Sequence, residues 1–150
     1  AAGCQLVGAC DLAVASEDAR FATSGINVGL FCSTPSVPVS RNIPRKQAME
    51  LLLTGEFIDA NTALKWGLIN RIAPREKLDE EVQKLADAIL SKSSVAVFTG
   101  KKMFYKQLEK NMEDAYAFAG EIMACNMMAE DVDEGIDAFV KKRTAVWKGR

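Results

Sequence analysis

Histidine is absent from this 150-residue chain. Its absence excludes a Ser-His-Asp triad, a Cys-His pair, a zinc site built on imidazole and a histidine general base within these residues. Chemistry carried by the chain must use carboxylates, backbone N–H groups, lysines, hydroxyls or thiols. Cysteine is sparse: Cys4, Cys10, Cys32 and Cys125 include no C-x-x-C pair. They read as reduced, mostly buried thiols of an intracellular protein rather than as a disulfide scaffold or metal site. A basic surplus is also lacking. Lys and Arg number 19 against 20 Asp and Glu, a net charge of −1, which argues against nucleic acid as the main partner. The clusters Lys101-Lys102 and Lys141-Lys142-Arg143 have acids close by and read as solvated helix faces. The charge-free stretch Phe21–Ser40 is interrupted throughout by Ser, Thr, Asn and Pro, so no membrane span is expected. No Walker loop, G-x-S-x-G or H-E-x-x-H motif occurs.

What is present is an average globular composition, 49% apolar and 26% charged. Residues 1–44 hold only two basic residues, Arg20 and Arg41, and three acids, Asp11, Glu17 and Asp18. This first stretch reads as core or site, and the remainder as amphipathic helices. Ala1–Cys10 is expected to form a short buried helix, with strands at Asp11–Ala15 and Ala19–Ala22. Ser24–Ser40, rich in Gly, Pro and Ser, reads as a loop with at most one helical turn. Lys46–Leu53 reads as a helix stopped at Thr54-Gly55; Asp59 caps the next, which ends at Gly67. Leu68–Ile72 reads as extended. Leu78, Val82, Leu85 and Ile89 define an amphipathic helix. Val95 to Leu108 and Met112 to Asn126 suggest two more. Asp131 opens the last, with Val132, Ile136, Phe139 and Val140 inside and Asp131 to Glu134 at capping-box spacing. The order implies an α/β core with a helical appendage. Wide apolar faces rich in Met suit either core filling or burial between subunits.

The residues by themselves carry little chemistry. Ala1-Ala2-Gly3 enters a helix, where free N–H groups aligned with the helix dipole stabilise an anion or a developing oxyanion. Small residues there also allow close helix packing, and spacing alone favours that second reading.

Several segments together resemble the crotonase (enoyl-CoA hydratase/isomerase) family. They are Ala1–Val7, Cys10–Ala15, Ala19–Phe21, Ile26–Gly29, Ala48–Gly55, Ile58–Ala60, Trp66–Asn70 and Glu134–Arg143. The match runs in order along nearly the whole chain, and Leu30–Pro35 with Phe104–Leu108 resemble a mitochondrial member. The resemblance implies an α/β fold, the C-terminal part of a ClpP/crotonase-like spiral of ββα units. Residues 1–74 would belong to that core and residues 75–150 to a helical region that builds homo-trimers or hexamers. It also implies that the chain is a C-terminal fragment, that its ligand is an acyl-CoA thioester with no further cofactor, and that its setting is mitochondrial fatty-acid metabolism.

The family polarises a thioester carbonyl with two backbone N–H groups and stabilises an enolate. Ala2 aligns with the second of these donors, where the family usually has Gly; Gly3 follows it in the ligand's approach. Both family glutamates are replaced: Gln5 stands at the first position and Gly25 at the second. A neutral amide accepts no proton near pH 7, so ordinary hydration is not expected. Returning glutamate to both positions is expected to restore some hydration if the pocket is otherwise intact. Gln5 either touches substrate or makes structural hydrogen bonds. Leu30, Phe31 and Cys32 either shape an acyl pocket or simply pack; nothing nearby marks Cys32 as a nucleophile. Lys142 aligns with a lysine near the CoA nucleotide, the alternative being a solvated helix tip. Acyl-CoA binding with lost or altered catalysis ranks slightly above an active enolate-forming enzyme that draws a group from upstream. A non-catalytic oligomerisation partner ranks third.

Overall fold

The computed structural model describes all residues, Ala1–Arg150. The chain divides into two compact units, Ala1–Lys84 and Leu85–Arg150.

The first unit begins with helix α1 (Ala2–Ala9), strands β1 (Val14–Ser16) and β2 (Arg20–Phe21), and a 3-10 turn at Ser24–Val28. It continues through α2 (Ser33–Asn42), α3 (Arg45–Thr54), β3 (Ile58–Asp59), α4 (Ala60–Trp66) and β4 (Arg71–Ala73). β1 and β4 pair in parallel, Val14 with Arg71 and Ser16 with Ala73. Asn70 extends that pairing: its backbone N–H donates to the Ala13 carbonyl and its side-chain oxygen accepts from the Ala13 N–H, both at 2.8 Å. β2 and β3 pair antiparallel, Arg20 with Asp59 and Phe21 with Ile58. Cys4, Phe21, Val39, Ile43, Leu51 and Ile69 belong to one buried cluster.

Local punctuation explains most boundaries. α3 and α4 stop where Gly55 (φ 64°) and Gly67 (φ 87°) turn left-handed, a conformation that costs glycine nothing. Asp59 caps α4, its Oδ1 accepting from the Thr62 N–H at 2.8 Å.

The expected loop at Ser24–Ser40 is overturned: most of it is the 3-10 turn and helix α2. Pro35 lies in the first turn of α2, where backbone N–H groups have no helical acceptor to lose. Pro38 lies deeper, and its carbonyl accepts from Asn42 Nδ2 at 2.7 Å. The same amide donates to Gly8 O at 2.7 Å. A Cβ on Gly8 would stand 3.2 Å from the Pro38 carbonyl carbon, so glycine lets α1 and α2 approach closely. In α1 only Cys4 and Gly8 are buried, and the expectation of a wholly buried helix fails at the exposed Leu6.

Helix α5 (Leu78–Leu90) runs across the division between the units. The second unit then holds α6 (Ser94–Gln107), α7 (Met112–Asn126), α8 (Glu130–Val140) and a C-terminal tail. The helical spacing is correct, but the capping box at Asp131 does not form. Asp131 is instead buried within α8: it accepts from Ser93 Oγ (2.6 Å) and from the tail N–H groups of Lys148 (2.7 Å) and Gly149 (3.0 Å). The inward set expected on α8 also fails, since Ile136, Phe139 and Val140 are exposed. The buried α8 positions are Asp131 and Ala138, and Trp147 of the tail lies 3.3 Å from where a Cβ on Gly135 would be.

No helix is long and apolar enough to cross a membrane. Cys4 and Cys32 are buried, whereas Cys10 and Cys125 are exposed, so burial of most thiols is not observed.

Candidate functional site

α1 begins with nothing but backbone. Ala1 precedes it without a side-chain cap, and the Gln5 N–H to Ala1 carbonyl bond at 3.0 Å is its first helical bond. The N–H groups of Ala2, Gly3 and Cys4 precede that register and have no helical acceptor. Ala2 and Gly3 are exposed, and the space where a Cβ on Gly3 would lie is empty to 4 Å. The helix dipole reinforces the positive potential of these groups. This end of α1 can therefore receive a polarised carbonyl oxygen.

Gln5 follows on the same turn, half-buried. Its side-chain amide makes no hydrogen bond within the chain. Cys4 beside it donates from Sγ to the Ala22 carbonyl at 3.2 Å. Burial pushes the Cys4 thiol pKa up, against the opposing effect of that bond. The bond ties α1 to the segment leading into Ser24–Val28, and buried Thr23 anchors the segment by donating to Leu51 O at 2.7 Å.

Gly25 lies in that 3-10 turn and accepts from the Leu30 N–H at 3.0 Å. Its backbone does not require positive φ; it requires absence of a side chain. A Cβ here would stand 2.7 Å from Leu30 O and 2.8 Å from Cys32 Sγ. Leu30 O is backbone and cannot swing away, so a glutamate at Gly25 does not fit this turn. The expectation that returning two glutamates restores some hydration is conditional on an otherwise intact pocket, and at Gly25 the space for the second is filled. Leu30 and Phe31 are exposed while Cys32 is buried. The three residues thus divide, two presenting apolar surface and the third packing against Gly25.

Of the acids nearest in sequence, Asp18 is committed elsewhere. Asp18, exposed, accepts from Ser16 Oγ at 2.6 Å and pairs with Arg75, and these bonds lower its pKa.

Ala2, Gly3, Gln5, Gly25, Leu30, Phe31 and Cys32 all belong to the first unit; Lys142 belongs to the second. Lys142 is exposed and its ammonium has no partner within the chain. Its neighbours are engaged: Lys141 pairs with Asp137 at 2.8 Å. Arg143 grips both oxygens of Glu134 (2.6 and 2.8 Å) and Asp137 Oδ2 (2.6 Å). Arg143 and the Val146 N–H together pull the Glu134 pKa down to about 2. Sequence reasoning treated Arg143 as part of a basic run and of the family-like ending, without a role of its own. The available signal was the one-turn spacing of Glu134 and Asp137 ahead of it.

A cavity of about 590 Å³ is lined by second-unit residues including Leu90, Val97, Phe98 and Tyr105 and contains none of the predicted site residues. No group of three His, Cys, Asp or Glu side chains is placed to hold a metal ion.

The enoyl-CoA hydratase/isomerase family model matches residues 1–150. Enoyl-CoA hydratase domain-containing protein 3, mitochondrial, from Rattus norvegicus is 52% identical over 147 residues, covering 98% of this chain and 49% of that protein. The Homo sapiens protein of that name is 50% identical, covering 98% of this chain and 48% of its own length. Among solved structures, an enoyl-CoA hydratase from Mycobacterium smegmatis superposes with a TM-score of 0.95 at 55% identity, covering 98% of this chain and 57% of that one. The human domain-containing protein 3 structure gives 0.93 at 50% identity, covering 98% and 58%. The chain spans about half the length of the curated relatives it matches.

Proposed function

The chain belongs to the enoyl-CoA hydratase/isomerase family, and from that membership we propose that it is the C-terminal part of a mitochondrial acyl-CoA-binding protein of fatty-acid metabolism that does not carry out ordinary enoyl-CoA hydration. The mitochondrial setting comes from the names of the relatives. The observation that carries the loss of hydration is the closed turn at Gly25, with Leu30 O and Cys32 Sγ occupying the space a side chain would need. Hydration needs one group to activate water and another to deliver a proton. Gln5 offers hydrogen bonds but no titrating proton. Binding is supported by the free N–H groups of α1 and by the unpaired ammonium of Lys142. The amide of Gln5 is free to contact a bound ligand.

The open approach at Gly3 favours a second reading. In it, the free N–H groups still stabilise an enolate, and a proton-transferring group comes from residues outside this half. A third role, as a non-catalytic partner in a homo-trimer or hexamer, is supported by the exposed Tyr116, Met123 and Phe139.

The test is direct. In the natural full-length protein, calorimetry with acyl-CoA should show binding, while short and medium enoyl-CoA should be hydrated far more slowly than by an ordinary hydratase. Turnover at hydratase level would overturn the reading of Gln5 and Gly25. Absence of acyl-CoA binding would leave only the oligomeric role.

A further inference from the structure

The cavity of about 590 Å³ belongs to the second unit alone, and the spacing of its residues shows how it is built. On α6, Ser94, Val97, Phe98, Lys101, Lys102 and Tyr105 all line it. They recur at steps of three and four, so they form one stripe down the helix. The stripe runs about 17 Å at the helical rise. The end of α5 supplies the remaining apolar lining through Ile89 and Leu90. Met103 and Gln107, off the stripe, share a different groove with Met112 and Ala115 of α7. The stripe itself stays open to water: Leu90 is 75% exposed and Phe98 69%.

Charge around this slot has one sign. Lys92, Lys101 and Lys102 line it, and no aspartate or glutamate does. The Lys92 and Lys102 ammoniums form no ion pair within the chain. Lys102 lies over the Phe98 ring, 5.9 Å from its centroid, which keeps its charge beside the apolar wall. Around α8 the opposite holds: Lys141, Arg143, Lys148 and Arg150 are all matched by acids. Clustered like charges repel, and apolar surface left in water is costly. A molecule with an anionic head and an apolar chain relieves both at once. The volume lies within the roughly 300–1,000 Å³ of small-molecule pockets. A concave slot suits one such chain, whereas a bilayer is met by a protruding apolar face.

We propose that this slot is a binding site for one free fatty-acid anion of medium to long chain. The chain lies against Leu90, Val97 and Phe98, and the rim lysines neutralise the carboxylate. None of the residues at the start of α1 takes part, so the site is independent of the acyl-CoA reading above.

The experiment is calorimetry on the natural full-length protein with dodecanoate, hexanoate and the uncharged dodecanol, together with thermal melts. Dodecanoate should bind at one per chain. Hexanoate should bind at least about a hundredfold more weakly, because each lost CH₂ removes buried apolar surface. Lys92→Gln combined with Lys102→Gln should weaken dodecanoate by about tenfold and leave dodecanol unchanged. Val97→Trp should fill the slot and abolish binding of both. If that variant melts early, the lysine pair, exposed on the surface, decides. Saturating acetyl-CoA should leave dodecanoate affinity unchanged. Displacement of dodecanoate by acetyl-CoA would put it in the thioester site and overturn the inference. Unchanged affinity in the lysine variant overturns it too, as does a wild-type protein that binds no dodecanoate because the slot is covered in the complete protein. Wild-type protein that sediments with anionic phospholipid vesicles, yet binds no free dodecanoate, assigns the lysines to a membrane instead. Failure of acetyl-CoA to bind sinks only the acyl-CoA reading and leaves this one standing.

Discussion

Gly25 and Lys142 are opposite cases of one choice. At Gly25 the backbone conformation tolerates any residue, but the space admits none larger than glycine. At Lys142 the side chain is exposed, but the backbone favours glycine. The resemblance implies a family glutamate at the first position, and the second carries an ammonium with no partner within the chain. Space therefore selects glycine at the first position, while the second keeps a charged side chain against a conformational cost. Lost catalysis with retained binding would leave this pattern. A chain with neither role would have no reason to keep lysine where glycine is better.

The largest effect expected from disturbing this contrast is at Gly25. Gly25→Glu should destabilise the protein by about 3 kcal/mol or more, because the new Cβ meets a backbone carbonyl at 2.7 Å and the Cys32 thiol at 2.8 Å. Gly25→Ala should show much of the same loss, since the conflict begins at Cβ. Denaturant unfolding of both variants measures it, with a parallel assay for hydration of a short enoyl-CoA. A stable Gly25→Glu protein that gains hydration when combined with Gln5→Glu would erase the contrast: the position would be vacant rather than closed.

A smaller effect calibrates the other pole. A Cβ on Gly67 would meet only Asn42 O at 3.6 Å, an ordinary contact. The cost of Gly67→Ala is therefore almost purely conformational, about 1 kcal/mol. Because α4 and α8 share their closing bonds, donated by Gly67 and Leu68 in one and by Lys142 and Arg143 in the other, this value measures what Lys142 bears in the same turn. If equilibrium unfolding showed Gly67→Ala to be neutral, the argument from strain at Lys142 would lose its basis.

These contrasts also mark where sequence reasoning stops. Gly55, Asp59 and Gly67 were readable because each acts on its own helix through local backbone bonds, and the comparisons with known proteins bear out the family read from Ala1–Val7 and Glu134–Arg143. The closed turn at Gly25 was not readable, because it is set by Leu30 and Cys32 packing back onto it. α2 was hidden by Pro35 and Pro38, although Pro35 falls in the first turn, where no helical N–H is needed. Asp131 matched a capping pattern, but the distant partners Ser93, Lys148 and Gly149 claimed its carboxylate. A left-handed turn is recognised by its glycine, so a lysine there gives no warning.

The smallest effect concerns the clamp that holds the Lys142 turn. Glu134 titrates at about 2 in the folded chain against an ordinary 4.5, first because Arg143 bonds its carboxylate and next because the Val146 N–H does. A carboxylate whose pKa is lowered on folding stabilises the fold above its unfolded value and loses that contribution as pH falls through the folded value. The contribution of Glu134 should therefore be complete above about pH 4.5 and should fade between there and about pH 2. Asp137, its pKa lowered mainly by Lys141 and then by Arg143, adds to the same trend. Glu134→Gln should lower stability modestly at pH 7 and flatten the pH dependence across that window, whereas a matched change at Glu80, whose carboxylate is held down by Lys84 within α5, should leave the turn unaffected. Measuring stability against pH for the three proteins separates the clamp from generic surface pairing. Parallel curves for wild type and Glu134→Gln would mean that Arg143 holds nothing, and that Lys142 keeps its conformation by backbone bonds alone.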